Sequence, residues 1–258
     1  MNNISIIDTH AHYDNKRFND DRHRLIESLP SAGIKTVINV GCDMESSRAS
    51  IKLAEKYPFV YATVGTHPHY VKSLDDNKLD KMKKMCSHEK VVAYGELGLD
   101  FYHNFSPQDV QIYWFKRQLD LACELGLPTI IHSRDAHEQT AKHIEASSVR
   151  NGVVHSFSGN AEYAKFYVNL GFYVGIGGVI TFDKSGVLEG VVYVTPLERL
   201  LLETDCPYLT PIPYRGKRND STKLIYVAEK IAEIKGISTS EVCSATTANA
   251  SRLFNTLY

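Results

Sequence analysis

The sequence predicts a (β/α)8 barrel of the TIM type, with a metal site at the carboxyl-terminal face of its strands. Two observations predict this fold. Eight short apolar runs rich in β-branched residues recur about 28 residues apart, with helical stretches between them. Histidines and carboxylates fall at the ends of several of these runs, where barrel enzymes carry their active sites.

The eight runs are nearly continuous in apolar character, as expected for strands of a parallel sheet that is covered on both faces. An open doubly wound sheet shows the same alternation of strands and helices and is the alternative fold, although it usually has fewer strands. The predicted strands are Ile4–Asp8, Thr36–Val40, Val60–Gly65, Val91–Glu96, Pro128–His132, Val153–Phe157, Phe172–Gly177 and Arg199–Asp205.

Helical periodicity fills the intervals between the strands. In the fourth helix, Ser106 is a predicted N-cap, Pro107 a first helical residue and Gly126 a stop signal. Because no linker or shift of composition interrupts the series, we expect one domain over residues 1–258, with C-terminal helices of residues 222–258 packing on the barrel. The predicted helices are Asp20–Ala32, Ser46–Lys56, Lys78–Glu89, Ser106–Leu125, Ala136–Ala146, Ala161–Leu170, Thr222–Lys235 and Ser238–Thr247.

The composition excludes several classes of protein. The net charge is −1, so no global positive field attracts nucleic acid, and a polyanionic substrate needs a local site. No signal peptide is evident, and no window approaches the roughly 18 apolar residues of a membrane span. Five cysteines without a CxxC pair indicate neither a disulfide framework nor a structural zinc site. We expect a cytoplasmic protein that needs no membrane and no obligate protein partner.

Six residues at the predicted strand ends are candidate metal ligands. His10 and His12 lie two apart at the end of the first strand, so their side chains project to the same side. Without a cation, four imidazoles and two carboxylates at one barrel mouth would be costly, because unpaired charges lose their hydration there. The full set is His10, His12, Glu96, His132, His155 and Asp205.

Six ligands suit two divalent ions better than one, because a single catalytic zinc ion usually takes three protein ligands and a water. We expect His10, His12 and Asp205 on one ion and the remaining two histidines on the other, with Glu96 bridging the ions. Histidine and carboxylate ligands admit Zn, Mn, Ni or Mg, so the sequence leaves the metal open.

Six motifs follow one another along most of the chain: IDTHAH, VGTHPH, GELGLDF, IHSRDA, VHSFSG and LLETDCPYL. Together they resemble the TatD-type metal-dependent deoxyribonucleases of the amidohydrolase superfamily. The resemblance implies a (β/α)8 barrel, one or two divalent ions on the same six ligands, and phosphodiester hydrolysis of DNA, often as a 3′-5′ exonuclease. The implied substrate is DNA that is single-stranded or has frayed ends.

Other hydrolytic functions stay open. Many amidohydrolases that cleave amides or cyclic ureas bridge their metals with a carboxylated lysine on the fourth strand, where this chain has Glu96. Glu96 separates this chain from those enzymes, but a glutamate bridge alone does not dictate phosphate chemistry. A hydrolase of a small amide, ester or lactone therefore stays the alternative, and an aminoacyl-tRNA deacylase is another. A catalytically silent barrel is disfavoured by the complete set of ligands.

Further residues are assigned catalytic and substrate-binding roles. Asp205 is expected to accept the proton of the attacking water, because a carboxylate at a metal is close and already ionised. His67 is expected to stabilise phosphoryl oxygens, and Glu203, two residues before Asp205, is a second candidate acid–base or ligand-orienting group. The candidate substrate contacts are Arg134, His69, Arg215, Lys217 and Ser156.

Overall fold

Eight parallel strands follow one another around a barrel in chain order, in a computed structural model that describes residues 5–255. The sequential order excludes the doubly wound alternative and confirms the predicted fold, although Ile4 of the first predicted strand lies outside the described residues. The strands are β1 (Ile6–Ala11), β2 (Ile34–Asn39), β3 (Val60–Val64), β4 (Val91–Asp100), β5 (Thr129–Arg134), β6 (Gly152–Val154), β7 (Tyr173–Ile176) and β8 (Leu200–Leu202).

Helices cover the outside of the barrel, and none within residues 5–255 is both long and apolar enough to cross a bilayer. Short 3-10 helices span Lys16–Phe18, Pro30–Ala32, Val71–Ser73, Gly178–Thr181, Leu197–Arg199 and Ser221–Lys223. The α-helices are α1 (Arg22–Ser28), α2 (Met44–Lys56), α3 (Asp76–Met85), α4 (Gln108–Leu125), α5 (His137–Ala146), α6 (Ala161–Asn169), α7 (Val187–Val194), α8 (Leu224–Lys235) and α9 (Thr239–Phe254).

Three helix predictions are corrected. Helix α7 was not predicted, because its valines and glycine have weak helix propensity and burial of one face decides its structure. Helix α9 continues to Phe254 instead of ending at Thr247. Ser106 does not cap α4, since its hydroxyl donates to the His69 carbonyl oxygen; the predicted end at Gly126, with φ of +65°, is confirmed.

The core has an inner and an outer layer. The inner layer takes side chains from around the barrel, such as Ile38 of β2 and Ile130 of β5, and α9 closes its lower end with Leu253 and Phe254. The outer layer lies between the strands and the helices and includes Phe115 of α4. The lower end of the barrel interior is thus filled, and the opposite mouth is where a barrel of this type binds its ligands.

Irregular register in β1 and β4 turns polar side chains into the mouth. Ile7 of β1 and Ala93 of β4 face the barrel interior, so strict alternation would send His10 and Glu96 to the outer face. The pairing register of both strands shifts between these positions. A one-residue shift exchanges the two faces of a strand, and both side chains therefore enter the mouth.

The barrel closes between β1 and the segment that follows β8. Within residues 5–255 the backbone bridge across this seam pairs Ala11 with Cys206, and further backbone and side-chain hydrogen bonds add to it. The buried carboxylate of Asp8 accepts hydrogen bonds from Thr204 N at 3.0 Å, Thr204 Oγ1 at 2.7 Å and Ser221 Oγ at 2.6 Å. Asp8 therefore fastens the last strand to the first.

We predict that Asp8→Ala lowers the free energy of unfolding by about 2–4 kcal/mol, because it leaves several buried donors without an acceptor. Urea unfolding of metal-free protein measures the loss. Asp120→Ala, on the exposed face of α4, is the matched control and should change the midpoint little. Equal midpoints for the two variants would show that Asp8 does not hold the seam.

Candidate metal centre

Glu96 lies at the centre of a group of histidines at the mouth of the barrel. Its side chain is 3% exposed, and its two carboxylate oxygens face different partners. Oε1 lies 2.7 Å from His155 Nε2 and 3.0 Å from His132 Nδ1. Oε2 lies 3.5 Å from His10 Nε2. One carboxylate thus contacts two separate sets of imidazoles.

The set around Oε2 joins β1 to the segment after β8. His10 Nε2 and His12 Nε2 are 3.1 Å apart, and Asp205 Oδ1 lies 3.2 Å from His12 Nε2 and 3.8 Å from His10 Nε2. Asp205 has a φ of +54°, a conformation that Asp tolerates better than most residues. The structure therefore brings all six predicted ligands together, and their binding of metal stays a prediction.

Two features of these residues are typical of a site that binds cations. Two pairs of ring nitrogens face each other at 3.1 Å, one pair in each set, and two nitrogens on one tetrahedral zinc ion lie about 3.3 Å apart. Buried polar atoms that lack a partner are also concentrated here, which is typical of an ion site. Among the described residues these atoms include His10 Nδ1, His132 Nε2, His155 Nδ1 and Glu203 Oε2.

Protonated histidines balance the charge on Glu96 when no cation does. Burial raises the pKa of Glu96, but the surrounding histidines, His155 foremost, together outweigh burial and hold that pKa well below its usual range. Burial likewise opposes protonation of His155, but Glu96 and Glu203 raise its pKa to about 10. A cation has to displace such protons, so metal binding releases protons and weakens as the pH falls.

Two contacts orient the donor atoms of this site. His12 Nδ1–H donates to the Val40 carbonyl oxygen at 3.1 Å, which turns Nε2 towards Asp205. Cys42 Sγ lies 3.5 Å from Glu96 Oε2. Burial raises the pKa of the Cys42 thiol to about 12, so the thiol stays protonated and donates to the carboxylate.

His67 presents a donor to the site instead of a lone pair. Its Nδ1 accepts the backbone N–H of His69 at 3.1 Å, and burial holds the pKa of His67 well below its usual value. The neutral ring therefore carries its proton on Nε2, which lies 3.4 Å from Glu96 Oε1. This tautomer suits a hydrogen bond to a substrate oxygen and disfavours metal ligation by His67.

Asp100 joins His69 to one of the predicted ligands. Its Oδ2 lies 2.7 Å from His69 Nε2 and 3.5 Å from His132 Nε2. Burial raises the pKa of Asp100, but the neighbouring imidazoles of His132 and His69 together outweigh burial and hold it well below its usual range. Sequence reasoning missed this residue because it ended the fourth strand at Glu96, although the alternation of GELGLD carries the signal.

Glu203 lies on the opposite side of the His155 ring from Glu96. Its buried Oε1 is 3.7 Å from His155 Nδ1 and accepts the backbone N–H of Ser156. The backbone N–H of Ser156 is therefore already bonded to Glu203. A substrate would contact the hydroxyl of Ser156 instead. This placement suits Glu203 for orienting His155.

A cleft of about 890 Å³ opens above the ligands. Its size is in the range of clefts that bind small molecules. The lining residues include the predicted substrate contacts His69, Arg134 and Ser156, together with His67.

The basic residues of the loop after β8 lie outside the lining of this cleft, although Tyr208 and Leu209 of the same loop belong to it. Arg215 and Lys217 are exposed, and neither belongs to the lining found among residues 5–255. The Arg215 guanidinium stacks 3.9 Å from the centre of the Phe182 ring, and its Nη1 donates to the Thr210 carbonyl oxygen. Arg215 and Lys217 are therefore placed for parts of a substrate that extend beyond the cleft.

A parallel barrel with histidines and carboxylates gathered at its mouth defines a metal-dependent hydrolase. Residues 7–255 match the family model described as TatD related DNase. Over 251 residues the chain is 40% identical to a metal-dependent hydrolase of Bacillus subtilis, YabD, covering 96% of this chain and 98% of that protein. The chain therefore belongs to the TatD-related DNase family.

Two further comparisons agree. The chain is 33% identical over 250 residues to a Salmonella typhimurium protein named 3′-5′ ssDNA/RNA exonuclease TatD, covering 94% of this chain and 96% of that protein. It matches the crystal structure of the TatD homologue YjjV from Escherichia coli K12 with a TM-score of 0.93 and 32% identity, covering 99% of this chain and 100% of that one. The likeness extends through the whole barrel.

We predict that Glu96→Gln lowers the content of bound metal, because it removes the charge that the two sets of predicted ligands share. Metal analysis after dialysis against limiting Zn²⁺ or Mn²⁺ measures the loss. Glu203→Gln is the matched control, since Glu203 is also buried but lies behind His155, and it should retain more metal. Equal losses in the two variants would make Glu203 a ligand and refute the central position of Glu96.

Proposed function

We propose that the protein is a two-metal nuclease that removes nucleotides from the 3′ end of single-stranded DNA or RNA. The observation that carries this proposal is the carboxylate of Glu96, which has imidazoles on both of its oxygens. A relative of 33% identity is named as an exonuclease of this kind. The barrel of residues 1–258 as one domain, and a cytoplasmic location, remain predictions.

The ligands divide into the two sets that the distances define. His10, His12 and Asp205 would hold one ion, His132 and His155 the other, and Glu96 both. When bound, two such ions would lower the pKa of a bound water, and their positive charge would stabilise the phosphoryl oxygens. Their identity among Zn, Mn, Ni and Mg stays open.

Asp205 is the proposed base. It is the most exposed of the carboxylates at the site, with a side chain that is 19% accessible, so it reaches both the reacting water and bulk solvent. Burial raises its pKa, but the hydrogen bond of His12 and the charges of the nearby histidines outweigh burial and lower it. Asp205 is therefore ionised at neutral pH and ready to accept a proton.

The remaining site residues hold the substrate. His67 Nε2–H donates to a phosphoryl oxygen, since its tautomer is fixed by His69. Arg134, at the end of β5, provides a planar cation on the cleft wall for an adjacent phosphate. His69 and the Ser156 hydroxyl contribute further polar contacts. Arg215 and Lys217 are left for phosphates more remote from the reacting bond.

A metal add-back assay tests the proposal. The protein is chelated, individual divalent metals are restored, and a 5′-labelled single-stranded oligonucleotide is followed by gel. We expect a metal-dependent ladder that shortens from the 3′ end. Hydrolysis of a small amide or lactone by protein that cleaves no DNA or RNA would refute the nuclease and favour the amidohydrolase alternative.

We predict that Asp205→Asn lowers kcat by roughly 10²–10⁴-fold, the range typical of a lost general base. Asn keeps the size of the side chain and tolerates the left-handed backbone at this position, so the fold should not change. Activity is titrated against metal concentration. A low plateau at full metal occupancy supports the base, whereas recovery of wild-type turnover at high metal would make Asp205 only a ligand.

A further inference from the structure

Exposed aromatic rings lie at one side of the cleft next to the proposed metal site, where Tyr70 and His103 belong to the lining and Tyr102 and Phe105 flank His103. We call this surface the aromatic shelf and define it by Tyr70, Tyr102, His103 and Phe105, with Arg134 beside them. Tyr102 is 59% exposed, Phe105 56% and Tyr70 47%. Large aromatic side chains left this open to water, side by side at the edge of a cleft, are typical of a binding surface.

The rings of the shelf are ordered against one another. His103 and Phe105 stack with centroids 5.1 Å apart and planes 13° from parallel, and Tyr102 meets His103 edge-on at 4.8 Å. The backbone N–H of His103 donates to Asp100 Oδ1 at 2.8 Å. The loop after β4 is thus anchored to the same carboxylate that contacts His69 and His132, so little ordering is needed when a flat ligand binds.

Arg134 adds an available positive charge to these rings. Its Cζ lies 4.0 Å from the centre of the Tyr102 ring, and its Nη1 donates to His103 Nε2 at 3.1 Å. No ion pair of Arg134 with a carboxylate is found among residues 5–255. The guanidinium is therefore held in place while its charge and remaining donors stay free for a phosphate.

The shelf is continuous with the proposed metal site. Asp100 Oδ2 contacts His69 on the shelf side and lies 3.5 Å from His132, a proposed ligand. His69 in turn meets the Phe105 ring edge-on at 4.8 Å. A ligand with a phosphate at the metals can therefore place a flat group on these rings.

We infer that the aromatic shelf stacks an unpaired nucleobase of a single-stranded nucleic acid and that Arg134 holds the adjoining phosphate. This inference rests on the proposed nuclease function and adds to it the part that selects single strands. Aromatic rings interleaved with a cation are the usual surface for unpaired bases. A base inside a duplex is already stacked on its neighbours, so blunt duplex ends bind here more weakly.

The test compares wild type with Phe105→Ala and Tyr102→Ala. Binding of metal-loaded protein to a fluorescein-labelled single strand is measured by anisotropy, with phosphorothioate linkages to slow hydrolysis. Each variant is expected to raise Kd by about 5- to 100-fold, the range of one lost base stack. Removing the terminal bases from the strand should weaken wild type by a similar factor and weaken the variants little further.

Tyr193→Ala is the matched control. Tyr193 is 72% exposed on α7, and among residues 5–255 it belongs neither to the cleft lining nor to the ring contacts of the shelf, so its loss should leave Kd and the melting temperature unchanged. The shelf is refuted if the shelf variants bind the strand as wild type does, or if abasic strands weaken all proteins equally. A protein partner on these rings would give the first of these results.

Failure of the proposed function has a different signature. If wild type hydrolyses no oligonucleotide with any metal, the nuclease proposal fails regardless of binding. If wild type degrades single strands and the shelf variants retain the same ratio of oligonucleotide to small-phosphodiester kcat/KM, only the shelf fails. A fall in that ratio for the shelf variants alone supports both the nuclease function and the aromatic shelf.

Discussion

The site depends on one buried carboxylate that has to stay charged. Glu96 is almost completely removed from water, which would normally favour its neutral form, and only the imidazoles around it reverse that preference. Its two oxygens face different histidines, so its charge organises both halves of the mouth. A cation that replaces the protons of these histidines keeps the same balance of charge.

The barrel delivers this carboxylate and its partners through departures from regular strand geometry. Register shifts in β1 and β4 move His10 and Glu96 from the outer face to the interior. The seam then sets the position of Asp205, whose backbone N–H donates to the His10 carbonyl oxygen at 2.9 Å. The positions of these site residues therefore depend on the irregular parts of the sheet.

The eight strands could be predicted from the sequence because each is a local run of apolar residues. The six proposed ligands could be named because they are polar residues at the ends of these runs. Sequence reasoning did not reach Asp100, whose contact with His132 depends on a longer β4. It could not place Arg215 and Lys217 relative to the cleft, since a loop's direction depends on tertiary contacts such as the stacking on Phe182. Helix α7 was missed because its packing overrides weak local propensity.

The most direct measurement of the central claim is an electron paramagnetic resonance spectrum of the wild-type protein loaded with Mn²⁺. Two ions that share the carboxylate of Glu96 are close enough to couple their spins, and two-metal sites hold their ions about 3.5–4 Å apart. The account predicts the spectrum of a coupled manganese pair as loading approaches two ions per chain. A spectrum of isolated ions at full loading would contradict it.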